Sequence, residues 1–252
     1  MYWLKIALFS ILDREESDSN NYIIAKYLLE NYNDLPGVSL TEISRQCNLS
    51  KAAVSRFCKE LGLMDYIDLQ MLIRGGNQKA EKTGASLSAE EQKLQFFDKM
   101  DTYVAEFKTA MNDPLVEELI ADIGTYRQMY AFGHLQASHI AYTLGNNLAM
   151  NGIFCFCTQS WTEQADILNK ARSDSLFIIF SVTGDYFKRL DLNMHFLEKP
   201  DAPKVYLITF DETPSPYQRL IKIRLGTERK DLFANISMNL FVNYIAERDR
   251  KR

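Results

Sequence analysis

Residues 39–62 read SLTEISRQCNLSKAAVSRFCKELG and have the spacing of two short helices joined by a tight turn. Ser39 is placed to cap the first helix, and Glu42, three positions on, to bond back to the N–H of Ser39 in a capping box. Ser50 is placed to cap the second helix, and Gly62 to end it. The stretch therefore predicts a helix-turn-helix.

Apolar residues repeat at helical spacing in both segments, which leaves small and basic residues on the outward face of the second helix. The predicted buried residues are Leu40, Ile43, Cys47, Val54, Phe57, Cys58 and Leu61. No acidic residue lies between Ile43 and Lys59, and small side chains let a helix approach base edges closely. We predict DNA contacts from Arg45, Ser50, Lys51, Ala52, Ser55, Arg56 and Lys59. The alternative is a solvated corner of a helical bundle, with no nucleic acid.

The composition is that of a soluble globular chain of 252 residues, long enough for two domains. Its net charge of −4 argues against coating nucleic acid by bulk charge, so DNA contact requires a local basic patch. The apolar start is interrupted by Lys5, is too short to span a bilayer and is followed by acidic residues. We expect a cytoplasmic protein with no membrane contact.

The four cysteines lie in apolar surroundings and are expected to be small buried hydrophobes. The three histidines are separated from them, without the spacing of a zinc site. We predict neither a metal nor a cofactor.

The chain divides by composition. Residues 1–74 predict a compact helical domain, with Leu63, Ile67, Leu69 and Leu72 closing its core after the second helix. Residues 75–88 lose their hydrophobic side chains almost completely and predict a linker. Residues 89–252 form the second domain.

Short apolar runs alternate with helical segments in the second domain. The predicted strands are residues 129–132, 153–157, 176–180, 205–209 and 221–225. Continuous apolar runs of this length favour a parallel sheet covered by helices on both faces. We predict an α/β fold, doubly wound on a five-stranded parallel sheet, with a ligand site at the carboxyl ends of the strands. Helices are expected at 89–111, from Pro114 onward and at 231–247.

Residues 49–70 resemble the RpiR (MurR/RpiR) family of bacterial transcriptional regulators, through Ser50, Ser55, Arg56, Phe57, Cys58, Lys59, Leu61 and Gly62. The family joins a helix-turn-helix to a sugar isomerase (SIS) domain. The resemblance implies a regulator whose affinity for a double-stranded DNA operator responds to a phosphorylated sugar. We predict a homodimer or a dimer of dimers held by the SIS domains, because a single helix-turn-helix of this size buries too little surface for selective binding.

The resemblance places the sugar-phosphate site on two loops. FSVTGDY, residues 180–186, is similar to the family's phosphate loop through Ser181, Thr183 and Gly184, while Tyr186 replaces its last threonine. The facing loop supplies Gly133 and His134, with Ser138 as a substitute for the family's serine. Backbone N–H groups at a helix start suit an anion independently of the family.

Two other functions stay open. One is an aldose-ketose sugar-phosphate isomerase with a helical extension, for which Glu163 and His195 are the available general bases. The other is a regulator whose pocket is vestigial, because Ser181 and Thr183 are also ordinary helix-capping residues. We predict no catalytic residues.

Overall fold

The computed structural model describes residues 3–35, 37–61, 63–77, 87–190, 192–227 and 234–250. The chain divides into two compact units, Met1–Ser86 and Leu87–Arg252. Gly62, most of the predicted linker (residues 78–86) and residues 231–233 of the predicted last helix lie outside the described residues. Across the described ranges, no helix has the length and apolar character needed to cross a membrane.

The first unit is helical. Its helices are α1 (Trp3–Arg14), α2 (Asn20–Glu30), α3 (Leu40–Gln46), α4 (Lys51–Glu60) and α5 (Tyr66–Asn77). Serine side chains at positions 19, 39 and 50 cap α2, α3 and α4 by accepting a backbone N–H three residues on. The fully buried core includes Leu8, Ile24, Leu28, Ile43, Val54 and Phe57.

Only half of the predicted capping box at Ser39 forms. The Ser39 hydroxyl accepts the Glu42 N–H at 3.1 Å, as expected. The Glu42 carboxylate instead accepts hydrogen bonds from Arg45 and Gln46, because the guanidinium charge is a stronger partner than a neutral N–H. The reciprocal part of the prediction is therefore wrong, and a complete capping box forms at Ser88 and Glu91.

The apolar face of α5 differs from the one predicted. Leu69 and Ile73 are buried, whereas Ile67 is 56% and Leu72 37% exposed. Residues two apart on a helix lie about 200° apart around its axis, so turning Leu69 inward turns Ile67 toward solvent. The expectation that Ile67 and Leu72 close the core was wrong, and Met71 is exposed with them.

The second unit alternates helices and strands. Its helices are α6 (Ala89–Ala110), α7 (Pro114–Asp122), α8 (Gln136–Met150), α9 (Trp161–Lys170), α10 (Tyr186–Arg189) and α11 (Ala234–Asp249), with a 3-10 turn at Met194–Leu197. Its strands are β1 (Gln128–Gly133), β2 (Ser175–Phe180), β3 (Lys204–Thr209) and β4 (Leu220–Arg224). They form a parallel sheet of order β1-β2-β3-β4, with Gly133 opposite Phe180.

Residues 153–157, predicted as a fifth strand, make a single bridge to β1 among the described residues. Phe156 donates its N–H to Met129 O and accepts the Ala131 N–H, at 2.8 and 3.0 Å. The segment begins bonded to α8 rather than to the sheet, since the Ile153 N–H donates to Leu148 O. Phe154 then lies 80% exposed. The described sheet has four strands, so the prediction of five was wrong in number.

Helices cover both faces of the sheet, so the predicted doubly wound arrangement is confirmed. One face packs Met129, Ile178, Tyr206 and Ile208 against α7, α8 and α11. The other packs Phe132, Phe177, Ile179 and Leu207 against α9, α10 and the 3-10 turn. After β1 the chain passes to the outer edge at Phe156, whereas after β2 it passes to β3. The connections therefore diverge between β1 and β2, where α/β sheets bind ligands.

Candidate DNA-binding helix and sheet-edge site

A tight turn joins α3 to α4. Asn48 adopts a left-handed conformation, with φ of 55°, which asparagine tolerates better than most residues. The Leu49 N–H donates to Ser44 O at 2.8 Å and the Asn48 N–H to Arg45 O at 3.2 Å. These bonds hold the start of α4 at a fixed position on α3.

The two faces of α4 separate as predicted. Val54, Phe57 and Cys58 are fully buried, and burial raises the pKa of the Cys58 thiol to about 11, so it stays uncharged. The outward face of α4 comprises Lys51, Ala52, Arg56 and Lys59, which are exposed, and Ser55, which is half-buried. This face presents three cationic side chains beside the methyl group of Ala52.

Arg45 differs from these cations because it already has a partner. Its guanidinium lies 2.6 Å from a Glu42 oxygen, and a second bond of 3.1 Å makes the pair bidentate. The hydrogen bond from Arg45 is the main reason that the pKa of Glu42 is lowered. The sequence contained this i,i+3 pair, but the predicted capping box assigned Glu42 to Ser39.

A second feature of this unit was missed by sequence reasoning. A cavity of about 340 Å³ lies between the start of α2 and α4, lined by Ser19, Asn20, Asn21, Ala53, Arg56 and Glu60. Asn21 bonds to Glu60 at 2.5 Å across it. Ser19 before two asparagines was the available signal of a polar helix start.

In the second unit, the predicted ligand residues lie at the carboxyl edge of the sheet, from Gly133 at the end of β1 to Ser138 in the first turn of α8, and in the loop after β2. Gly133 must be glycine, because a Cβ there would stand 2.5 Å from the Ala137 carbonyl oxygen. Ser138 is buried and donates its hydroxyl to Leu135 O at 2.6 Å, within its own helical turn. Ser138 therefore stabilises the start of α8.

His134 lies in a ring stack with Trp161 and Tyr186, at centroid distances of 4.5 and 4.4 Å. The imidazole is 8% exposed, and neither ring nitrogen has a hydrogen-bond partner among the described residues. Burial, assisted by the charge of Arg189, lowers the pKa of His134 to about 3. His134 is consequently an uncharged wall residue at neutral pH.

Gln164 ties the ring stack to the loop after β1. Its amide NH₂ donates to Thr158 O at 2.6 Å and Gly133 O at 3.3 Å, and its oxygen accepts the Tyr186 hydroxyl at 2.7 Å. Tyr186, the residue in place of the family's last threonine, is thereby fixed in the core. Gln164 and Trp161 carry no local sequence signal for this role.

The loop after β2, residues 181–185, forms a tight turn, and the carboxylate of Asp211 lies against it. Gly184 has a φ of 73°, and its N–H donates to Ser181 O at 3.3 Å. A Cβ on Gly184 would lie 2.7 Å from an Asp211 carboxylate oxygen. Asp211 pairs with Lys222 at 2.5 Å, which is the main cause of its lowered pKa.

The hydroxyls of Ser181 and Thr183 are half-buried in this loop, and neither makes a side-chain hydrogen bond within the described part of the chain. They are available to a ligand. Asp211 was missed, although its position two residues after a predicted strand placed it at the carboxyl edge.

Comparisons with known proteins agree with both units. Residues 12–80 match the model of the helix-turn-helix domain of the rpiR family. An uncharacterized HTH-type transcriptional regulator of Caldanaerobacter subterraneus subsp. tengcongensis is 28% identical over 100 residues, which cover 39% of this chain. The match spans 34% of that relative's length, about a third.

Solved structures share the fold. The NanR protein of Vibrio vulnificus, solved in complex with ManNAc-6P, has a TM-score of 0.51 at 15% identity, covering 98% of this chain and 91% of its own. A phosphoheptose isomerase of Francisella tularensis has a TM-score of 0.52 at 12% identity, covering 66% of this chain and 100% of its own. Residues 12–80 thus match the helix-turn-helix domain of the rpiR family, and the unit that follows shares its α/β fold with the phosphoheptose isomerase.

Proposed function

We propose that this protein is a transcriptional regulator that binds an operator in double-stranded DNA through α4. The observation that carries the proposal is the outward face of α4, where Lys51, Arg56 and Lys59 flank Ala52 on a helix capped by Ser50. An α-helix fits the major groove, and small residues let its backbone approach the bases. Arg56 and Lys51 are the side chains suited to base edges, and Lys59 to phosphate.

We assign DNA binding to residues 1–74 and propose that residues 89–252 hold two copies together. A single helix-turn-helix buries too little surface for selective binding, so two copies must read one site. A homodimer then requires half-sites about one helical turn, roughly 34 Å, apart, or a multiple of that spacing. A dimer of dimers would add a second pair of half-sites.

We propose that the second unit senses a phosphorylated sugar without converting it. The anion would bind in the loop of residues 181–185, between the hydroxyls of Ser181 and Thr183 and the backbone N–H groups. The ligand in the NanR structure, ManNAc-6P, is of this class. The negative charge of Asp211 beside Gly184 disfavours a dianionic ligand unless Lys222 moves toward that ligand. Binding would therefore rearrange the Asp211–Lys222 ion pair.

An isomerase is the second candidate, and the position of Glu163 favours it. Glu163 lies next to Gln164, which contacts Gly133 at the end of β1. The carboxylate of Glu163 already accepts the Thr158 hydroxyl at 2.5 Å. His195 is a weaker base candidate, since its side chain is exposed and paired with Glu198. His134 cannot exchange protons near neutral pH while its nitrogens are enclosed.

One experiment separates these functions. Hexose, pentose and amino-sugar phosphates are screened by thermal melt, and each ligand that stabilises the protein is assayed for isomer formation. A ligand at a hundred times its dissociation constant should stabilise the fold by about 2.7 kcal/mol. Thr183→Asp should abolish that shift, and Thr102→Asp on exposed α6 should leave it intact. Turnover would favour the isomerase, and the absence of any shift would favour a vestigial pocket.

A further inference from the structure

A second cavity, of about 540 Å³, lies at the opposite end of β1 from the predicted ligand loops. It is an open cavity lined by the turn before β1, the first residues of β1, the turn after α8 and Ile167 of α9. Small-molecule sites typically measure about 300–1,000 Å³. The cavity therefore has room for a compound of one or two rings.

Among the described residues, the outer edge of β1 is paired at a single residue, which leaves space beside the strand. Phe156 bonds to Met129 and Ala131, but the chain before it departs toward α8. Gly124 and Gly152, with φ of 80° and 83°, turn the two chain segments that form its rim. The space left along β1 between these segments is open to a ligand, without any rearrangement of the sheet.

The wall of the cavity is aromatic and apolar. Tyr130 stacks on Phe177 at 4.7 Å and meets Phe156 edge-on at 6.1 Å, so its ring is held rigidly. Met129, whose side chain is buried on the opposite face of the sheet, also lines the cavity, and Phe154 stands 80% exposed at the mouth. Rigid rings that face an open space are suited to stacking on another flat ring.

The rim of the cavity carries a cation, Arg127. Arg127 is exposed there and has no hydrogen bond or ion pair with any residue in the described ranges. Of the nearby carboxylates, Asp122 pairs with Lys204 at 2.6 Å. Asp174 accepts the Ser175 hydroxyl at 3.3 Å, and its charge adds to the effect of burial in raising the pKa of Tyr130. A carboxylate on the ligand would find a planar guanidinium suited to bidentate pairing.

We propose that this cavity binds a small aromatic carboxylate, whose ring packs on Tyr130 and Phe154 and whose carboxylate pairs with Arg127. The aromatic wall selects a flat apolar body, and the unpaired cation selects the charge. The site is separate from the loops of the proposed sugar-phosphate site, so the protein would respond to two chemically different ligands.

The test uses isothermal titration of the full chain with 1-naphthoate and with the neutral 1-naphthamide. We expect one naphthoate to bind per chain. The amide should bind about tenfold more weakly, because it loses a hydrogen bond between charged groups, and such a bond changes the affinity by about that factor. Arg127→Gln should weaken naphthoate by a similar factor, and Phe154→Ala should weaken both compounds. Lys188→Gln, an exposed charge that follows the carboxyl end of β2, is the control and should change neither.

Nuclear Overhauser effects locate the ligand independently of affinity. Ring protons of naphthoate should contact the methyl groups of Ile153 and Ile167, which line the cavity. Naphthoate affinity that is unchanged by both Arg127→Gln and Phe154→Ala would overturn the proposal, as would contacts to other methyl groups. No binding at millimolar ligand also overturns it. If Phe154→Ala then lowers the sedimentation coefficient, the cavity is a contact between copies of the chain.

Discussion

Replacing His134 by phenylalanine should remove the contribution of this side chain to the acid sensitivity of the second unit. The imidazole is held uncharged between two rings, and its pKa is lowered from 6.5 to about 3. Once unfolded, the same side chain takes up a proton below pH 6.5. Because the unfolded state binds more protons, folding stability is complete above pH 6.5 and falls as the pH drops toward 3.

The magnitude follows from the pKa difference. Each pH unit between the two pKa values changes the free energy of unfolding by about 1.4 kcal/mol. From pH 6.5 to pH 5, one and a half units give a loss of about 2 kcal/mol. His134→Phe keeps a ring in the stack and cannot be protonated, so it should escape this loss. It also removes two unpaired buried nitrogens, which should stabilise the variant at neutral pH by about 1–3 kcal/mol.

The assay is urea unfolding of the wild-type chain and the variant at several pH values from 7.5 to 5. The difference between their free energies of unfolding should widen by about 2 kcal/mol across that range. His139→Gln, whose side chain is exposed on α8, serves as the control. Parallel pH profiles for wild type and His134→Phe would refute the argument that His134 is buried uncharged.

Of three further predictions, two concern the DNA-binding unit and one concerns the backbone at Gly133. Arg56→Ala should weaken operator binding by about 1–3 kcal/mol if Arg56 reads a guanine. If Arg56 contacts only phosphate, the slope of log affinity against log salt concentration should fall by about 0.9. Fluorescence anisotropy at several salt concentrations measures both. Glu42→Gln should tighten DNA binding and steepen the same salt slope, because it releases Arg45 from its bidentate pair; a slope equal to that of wild type would contradict this. Gly133→Ala should destabilise the protein by about 1–3 kcal/mol in a thermal melt, because its Cβ would overlap a backbone carbonyl at 2.5 Å; an unchanged melting temperature would show that α8 moves freely.

The faces of α4 were predictable because periodicity alone decides which residues of a capped helix turn inward. Val54, Phe57 and Cys58 are buried as their spacing requires. Periodicity could not decide between two partners for one side chain. Glu42 had both the N–H of Ser39 and the guanidinium of Arg45 within reach, and charge determined the outcome.

The sequence predicted a parallel sheet correctly, but it did not predict where the sheet ends beside β1. Buried strands are apolar runs, and residues 153–157 are an apolar run as well. In the structure, however, this segment bonds to α8 at one end and to β1 at a single bridge, and it forms no strand. The candidate ligand site depends further on contacts between distant segments. His134, Trp161 and Tyr186 meet only because β1, α9 and α10 converge, and Asp211 reaches Gly184 only through the pairing of β2 with β3.

Footprinting of the full chain on the promoter region beside its own gene tests the central claim most directly. We predict a protected site with two related half-sites for the wild-type protein. Lys51→Ala/Arg56→Ala, which changes two exposed side chains of α4, should fold normally and lose that protection. Protection by this folded double variant at the same protein concentration as wild type would contradict the assignment of DNA recognition to α4.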